Sequence, residues 1–220
     1  MNPLRWVFYS YEYLLISMEN LAMIIVAFIT GVLGPISVMF IKYLLDKRKK
    51  KPDMVMDTLR VSELITHRID HIRDEFNADR VWISQFHNGG NFYPTGRSMA
   101  KFSIMYETVS LNAGSVQSNF KNIPVNLFSR SINELLHNDV IEISDFKDET
   151  IATFGLKYIA EESGCKSAYL FAIKSIEDKF IGILAVDYTK KKTKLDMESI
   201  NHLQNHASSI GGVLMTYLNQ

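Results

Sequence analysis

The chain has 220 residues, with 24 basic and 24 acidic side chains and therefore no net charge at pH 7. Zero net charge, without a wide basic face in the soluble part, excludes nucleic-acid binding through a general positive field. The single cysteine, Cys165, excludes an intramolecular disulfide and suits a reducing compartment.

Residues 3 to 20, "PLRWVFYSYEYLLISMEN", are rich in aromatic side chains. On a helix Arg5, Glu12 and Glu19 share one face, and Leu4, Val7, Phe8, Tyr11 and Met18 line the other. Trp and Tyr favour the lipid headgroup region, because the ring is apolar and its tip polar. Residues 1 to 20 are therefore expected to form an interfacial amphipathic segment. A short second membrane segment, paired with the next one as a hairpin, is the alternative.

Residues 21 to 45, "LAMIIVAFITGVLGPISVMFIKYLL", are apolar apart from Thr30, Ser37 and Lys42. About 20 apolar residues in a helix cross ~30 Å of hydrocarbon, so this run reads as a transmembrane helix. Its length, and the lack of a small-residue cleavage pattern, argue against a cleaved signal peptide. Residues 46 to 53, "DKRKKKPD", form a basic juxtamembrane linker. Lys47, Arg48, Lys49, Lys50 and Lys51 resist translocation, whereas Arg5 alone precedes the run. That asymmetry places everything after the linker in the cytoplasm. Pro35 is expected to kink the helix. Ala27 with Gly31, and Thr30 with Gly34, are small-xxx-small pairs that favour close helix contact and hence a homo-oligomer through the transmembrane and connector helices.

Residues 54 to 220 are the size of one soluble domain. A helix is expected from Asp53 to Phe76, with Val61, Ile65, Ile69, Ile72 and Phe76 as its apolar stripe. "RVWISQF" then alternates as a strand and breaks at the loop "HNGGNFYPTG". "KFSIMYETVS" is a second strand, "PVNLFSRSINELLHN" a helix opened by Pro124, and "VIEIS" a short strand. Residues 149 to 162 are expected to be helical. "KSAYLFAIK" and "KFIGILAVDY" form a hairpin around "SIEDK". Asp196 caps a last helix whose apolar face is Ile200, Leu203, Ala207, Ile210 and Leu214.

This succession resembles a GAF-type domain over about residues 54 to 218. The most specific part is the hairpin and last helix, where Gly182, Leu184, Asp196, Leu203 and Ala207 match the usual pattern. The resemblance implies an α+β fold: an antiparallel sheet of five or six strands, with helices on one side and a ligand pocket on the other. The acidic motif of cyclic-nucleotide-binding GAF domains is not evident, nor is a chromophore cysteine. The architecture is also similar to the holins of T-even-like phages, which have one span and a globular domain. Holins of that kind hold the domain outside the inner membrane, contrary to what "DKRKKK" implies.

No nucleophile among Ser84, Ser103 and Cys165 has a base at a recognised spacing, so no catalytic residue is expected. His87, just after a strand, is the nearest candidate. His67 and His71, and again His202 and His206, are spaced i, i+4, but without a third ligand in sequence both pairs read as solvated helix faces, and no metal or other cofactor is expected. A ligand-binding site is expected around the first hairpin loop. Phe86, His87, Asn88, Asn91, Tyr93, Arg97, Phe102 and Tyr106 surround it, with Tyr169 and Asp187 brought close by neighbouring strands. Arg97 and Lys101 suit an anionic ligand. Lys190, Lys191, Lys192 and Lys194 read as a solvated link or a contact with anionic lipid. The expected function is that of a membrane-anchored, non-catalytic sensory or regulatory module. It would sit on the inner membrane of a bacterium or phage-infected host and bind a small molecule or a regulatory protein; the alternative is a phage holin, a membrane-lesion lysis protein whose globular domain binds a regulator.

Overall fold

The computed structural model describes residues 20–21, 23, 25–48, 54–148 and 160–218. The expected interfacial segment (up to residue 19), the linker from residue 49 to 53 and residues 149–159 of the helix expected over 149–162 lie outside the described residues, and residues 160–162 are helical. The chain divides into two compact units, Met1–Pro52 and Asp53–Gln220.

In the first unit, Ile25–Lys47 is a helix long and apolar enough to cross a membrane, and none of it is buried by the rest of the chain. Its polar side chains bond to the helix itself: Thr30 Oγ1 donates to the Val26 carbonyl at 2.8 Å and Ser37 Oγ to the Leu33 carbonyl at 2.7 Å. The disturbance expected from Pro35 takes the form of a π-helical turn at Ile29–Leu33, followed by α1 (Gly34–Arg48). Pro35 has no N–H to offer, and the Gly34 N–H just before it bonds instead to the Ile29 carbonyl.

The second unit opens with α2 (Met54–Glu75). Ile65, Ile69 and Ile72 are fully buried, whereas Met56 and Leu59 are exposed, so the stripe begins one turn later than the apolar residues do. β1 (Arg80–Asn91) and β2 (Ser98–Val109) form a long hairpin. β1 continues five residues beyond the expected break at Phe86, because His87 and Asn88 still pair with Lys101 and Ala100. Only the short tip between the strands is loop. β3 (Ile123–Pro124) pairs with β2. A 3-10 turn at Val125–Phe128 leads into α3 (Ser129–Asn138), so the helix starts later than Pro124. β4 (Val140–Ile143), β5 (Ser167–Lys174), β6 (Phe180–Tyr188) and α4 (Met197–Leu218) complete the unit.

The six strands form one antiparallel sheet in the order β3-β2-β1-β6-β5-β4. Alternate residues feed two cores. Val81, Ile83, Tyr169, Phe171, Leu184 and Val186 pack against the apolar faces of α2 and α4. Trp82, Phe102, Ala168, Leu170, Ile183 and Ala185 pack on the other face with Ile132 and Leu135 of α3. Helices therefore cover both faces, not one, because the central strands are apolar on both sides and each side needs a cover. Gly182 has a direct steric reason: a Cβ there would lie 2.2 Å from the Ser84 carbonyl oxygen on the paired strand. Asp196 caps α4 by accepting the Ser199 N–H at 2.9 Å. The β5–β6 turn closes when the Ser175 N–H donates to the Lys179 carbonyl at 2.8 Å, with Asp178 in the left-handed region at φ 58°.

Asp79, between α2 and β1, is buried and accepts the Thr189 N–H at 2.8 Å and the Lys190 N–H at 3.0 Å, with the Lys190 ammonium at 2.9 Å. Lys190 is thus part of the fold, and Lys192 pairs with Asp145, so half of the expected solvated cluster is engaged within the domain. Burial alone would raise the Asp79 pKa, but these donors hold it down at about 2. Its folded value lies below the unfolded ~3.9, so this contribution is present above about pH 4 and is lost as pH falls towards 2. Asp79→Asn should destabilise the domain by about 2 kcal/mol at pH 7 and by much less at pH 2, as read from urea unfolding at both pH values.

Candidate functional site

The sheet face opposite α2 and α4 carries a cleft. β1 supplies Arg80 and Trp82, β5 Ala168 and Leu170, and β6 Asp187. Val116 and Phe120 come from the β2–β3 connection, and Phe146, Ala160, Ser163 and Cys165 from the segments between β4 and β5. Apolar side chains dominate, with one charged pair at the wall.

That pair is the electrostatic centre of the cleft. Arg80 and Asp187 lie directly opposite each other on β1 and β6 and are 1% and 5% exposed. The Arg80 Nε donates to Asp187 Oδ2 at 2.7 Å, and Nη2 is also 2.7 Å from that oxygen. The Trp82 indole N–H donates to the same atom at 3.0 Å. The remaining guanidinium donors reach the Gly114 carbonyl at 2.9 Å and Ser163 Oγ at 3.2 Å. Burial would lower the Arg80 pKa, but the adjacent carboxylate offsets this and the guanidinium stays charged. Burial pushes the Asp187 carboxyl up, and Arg80 and Trp82 oppose that shift. Cys165 is buried, with its thiol donating to the Ser167 carbonyl at 3.3 Å. Burial pushes its pKa up, so it is not a thiolate nucleophile. The free space at the centre is about 30 Å³, enough for one or two waters; a larger guest must displace side chains.

Of the ten residues expected to line a site, only Asp187 faces this cleft, and it does so at the end of β1 away from the hairpin tip. The others fall into separate places. Phe86 and Phe102 pack against each other with ring centroids 6.4 Å apart, and Phe102 is enclosed with Phe120 and Phe128 in the core. Tyr106 lies on the opposite face, because a bulge between Ile83 and Ser84 of β1 leaves Met105 unpaired and shifts the alternation of β2 by one. Tyr169 is also on that face. Its hydroxyl accepts the Leu195 N–H at 2.9 Å and donates to Glu142 at 3.2 Å, a structural task. Asn88, Asn91, Tyr93 and Arg97 are exposed along the hairpin end, with Tyr93 at 98%. His87 lies 2.8 Å from Ser103 Oγ, a pairing that sequence spacing did not reveal. Ser103 Oγ also accepts the Asn122 N–H at 2.8 Å, and among the described residues no carboxylate bonds to the His87 ring, so the pair ties the hairpin to the following turn.

Arg80, Trp82, Ser163 and Phe146 also line the cleft and lie outside the expected set. The signal for the first two was available. In "RVWIS" the arginine alternates in phase with the tryptophan, and a charge in phase with a buried position needs a buried partner.

No protein-family model and no curated protein matches the sequence. Solved structures do match its shape. A far-red cyanobacteriochrome photoreceptor aligns with a TM-score of 0.58 at 14% identity, over 84% of this chain and 99% of that one. The fold is GAF-like. The blue-light absorbing form of the Thermosynechococcus elongatus PixJ GAF domain gives 0.58 at 12% identity, over 74% of this chain and 91% of that one. The phycocyanobilin-bound GAF domain of a cyanobacterial phytochrome gives 0.53 at 17% identity, over 72% and 89%. In this GAF-like unit the cleft occupies the face turned away from the terminal helices α2 and α4, where the resemblance places a ligand pocket.

Removing one member of the buried pair should be severe and removing both less so. Asp187→Ala should cost ~3–5 kcal/mol by leaving Arg80 uncompensated, and Arg80→Met with Asp187→Leu should recover part of that loss. Chemical denaturation of the two single variants and the double variant measures the coupling.

Proposed function

We propose that this chain is a membrane-anchored, GAF-like sensory or regulatory module that binds a small ligand, or a protein partner, without catalysing a reaction. The observation that carries the reading is the cleft on the free sheet face, with an apolar lining and one buried charged pair, since a few placed polar groups in an apolar cavity are the usual make-up of a ligand site. The bound phycocyanobilin named for one structural neighbour supports ligand binding as a use of this fold. The small free volume and the protonated Cys165 argue for a smaller, non-covalently held guest.

The apolar helix Ile25–Lys47, with its side chains uncovered and its hydroxyls bonded back to its own carbonyls, supports an anchor. Lys47 to Lys51 orient the anchor so that the domain lies in the cytoplasm, at the inner membrane. The small residues at Ala27, Gly31 and Gly34 suit self-association there. A phage holin shares the single span but puts its globular domain outside. A fluorescent protein that matures only in the cytoplasm, fused after Gln220, should therefore fluoresce. A dark fusion, with an active periplasmic phosphatase fusion at the same place, would favour the holin arrangement.

The cleft has its own test. In a thermal-shift screen of small metabolites on the full chain in detergent micelles, binders should raise Tm in the natural sequence. Ala160→Val, which fills the cleft wall with two methyl groups, should abolish that rise while keeping the fold. Hits that act equally on the variant would place binding elsewhere.

A further inference from the structure

On the face away from the cleft, α2 and α4 cross antiparallel. The Arg68 guanidinium donates to Ser209 Oγ, and one turn further on His71 lies beside His206, with ring centroids 6.2 Å apart. A further turn on, Glu75 reaches His202. The i, i+4 pair His71 and Glu75 thus faces the i, i+4 pair His202 and His206. His67, His71 and His202 are exposed, as a solvated face requires, but Glu75 draws three imidazoles, His71, His202 and His206, together. Its Oε2 lies 3.3 Å from His71 Nδ1 and 3.5 Å from His206 Nε2, and its Oε1 lies 3.1 Å from His202 Nδ1. The donor atoms of His71, Glu75 and His206 all lie within 4.8 Å of one another.

We propose that His71, Glu75 and His206, with His202 as the fourth donor, bind one Zn²⁺ ion that clamps α2 to α4. Three imidazole nitrogens and one carboxylate oxygen are a donor set that zinc takes readily, at ~2.0–2.2 Å from the metal. Donors around such an ion stand ~3.4 Å apart, so His71, Glu75 and His206 need only small side-chain rotations, whereas His202, whose Nδ1 contacts Glu75 Oε1 at 3.1 Å, must turn further to join them. Two further observations point to a cation. The Nε2 of His206 is buried without a hydrogen-bond partner, an orphan that a metal would satisfy. Among the described residues the groups within ion-pair distance of Glu75 are these three histidines, and no lysine or arginine neutralises it. The rings of His202 and His206 lie 4.7 Å apart at their centroids. Phe76 packs edge-on against both rings, at 5.8 and 6.4 Å, and holds them in place. The site is independent of the cleft.

The full chain in detergent micelles, stripped with a chelator, should bind one Zn²⁺ per chain by calorimetric titration and elemental analysis. Co²⁺ should give the intense visible absorption of a four-coordinate ion. Zinc at about 100 times its Kd should raise Tm by about 5–10 °C, and Mg²⁺ and Ca²⁺ should not. His206→Ala and the nearly isosteric Glu75→Gln should each weaken zinc binding by more than ~100-fold, beyond the loss typical of an outer-shell partner. His67→Ala, an exposed histidine on the same helix, should bind as the natural sequence does. Far-UV circular dichroism confirms that the variants fold, and Glu75→Gln keeps the test open if His206→Ala does not. Substoichiometric binding, one zinc per two chains, or unchanged affinity in Glu75→Gln would overturn the proposal.

Discussion

The Arg80–Asp187 pair is the constraint on which the second unit turns. The two residues face each other across the central strands β1 and β6, and both are buried. A slip of one residue in that pairing would send each charge into the opposite, apolar core without its partner, at a penalty far larger than any local strand preference. The pair therefore pins the register of the strands that carry both cores. It also brings Trp82 and Ser163 to the same point, so the polar wall of the cleft and the alignment of the sheet are one feature. Asp79 works beside it, tying the entry to β1 to the exit from β6.

The two faces of the sheet then have different uses. On one, α2 and α4 are held by fully buried Ile65, Ile69, Leu203 and Ala207, and their outer edge gathers three histidines on Glu75. On the other, among the described residues, α3 packs with Val116, Phe120, Phe146 and Cys165, and the cleft lies among them. The proposed ligand cleft and the proposed metal site share no residue.

Much of this architecture was legible in the amino-acid order. The length and apolarity of residues 21 to 45, the two-residue alternation from Arg80 onwards, the stripe on α2 and the acidic cap of α4 are local properties, and local spacing reports them directly. The GAF-like fold followed from that succession. The hairpin was drawn too short, because glycine and asparagine after Phe86 look like a turn while their backbone still pairs with β2.

The lining of the cleft was mostly illegible, and the reason is geometric. The aromatic residues around the first hairpin are near in sequence, but strand alternation and the bulge at Met105 send Phe102 and Tyr106 to opposite faces. The sequence by itself determined the apolar helix, the elements of the domain, their apolar faces and the presence of two histidine pairs at helical spacing. Only the tertiary structure decided that Arg80 meets Asp187, that helices cover both faces, and that His71 and Glu75 stand opposite His202 and His206. Spacing along one element sets which side chains share a face; which faces meet depends on register and packing between segments more than a hundred residues apart, and no local pattern encodes that.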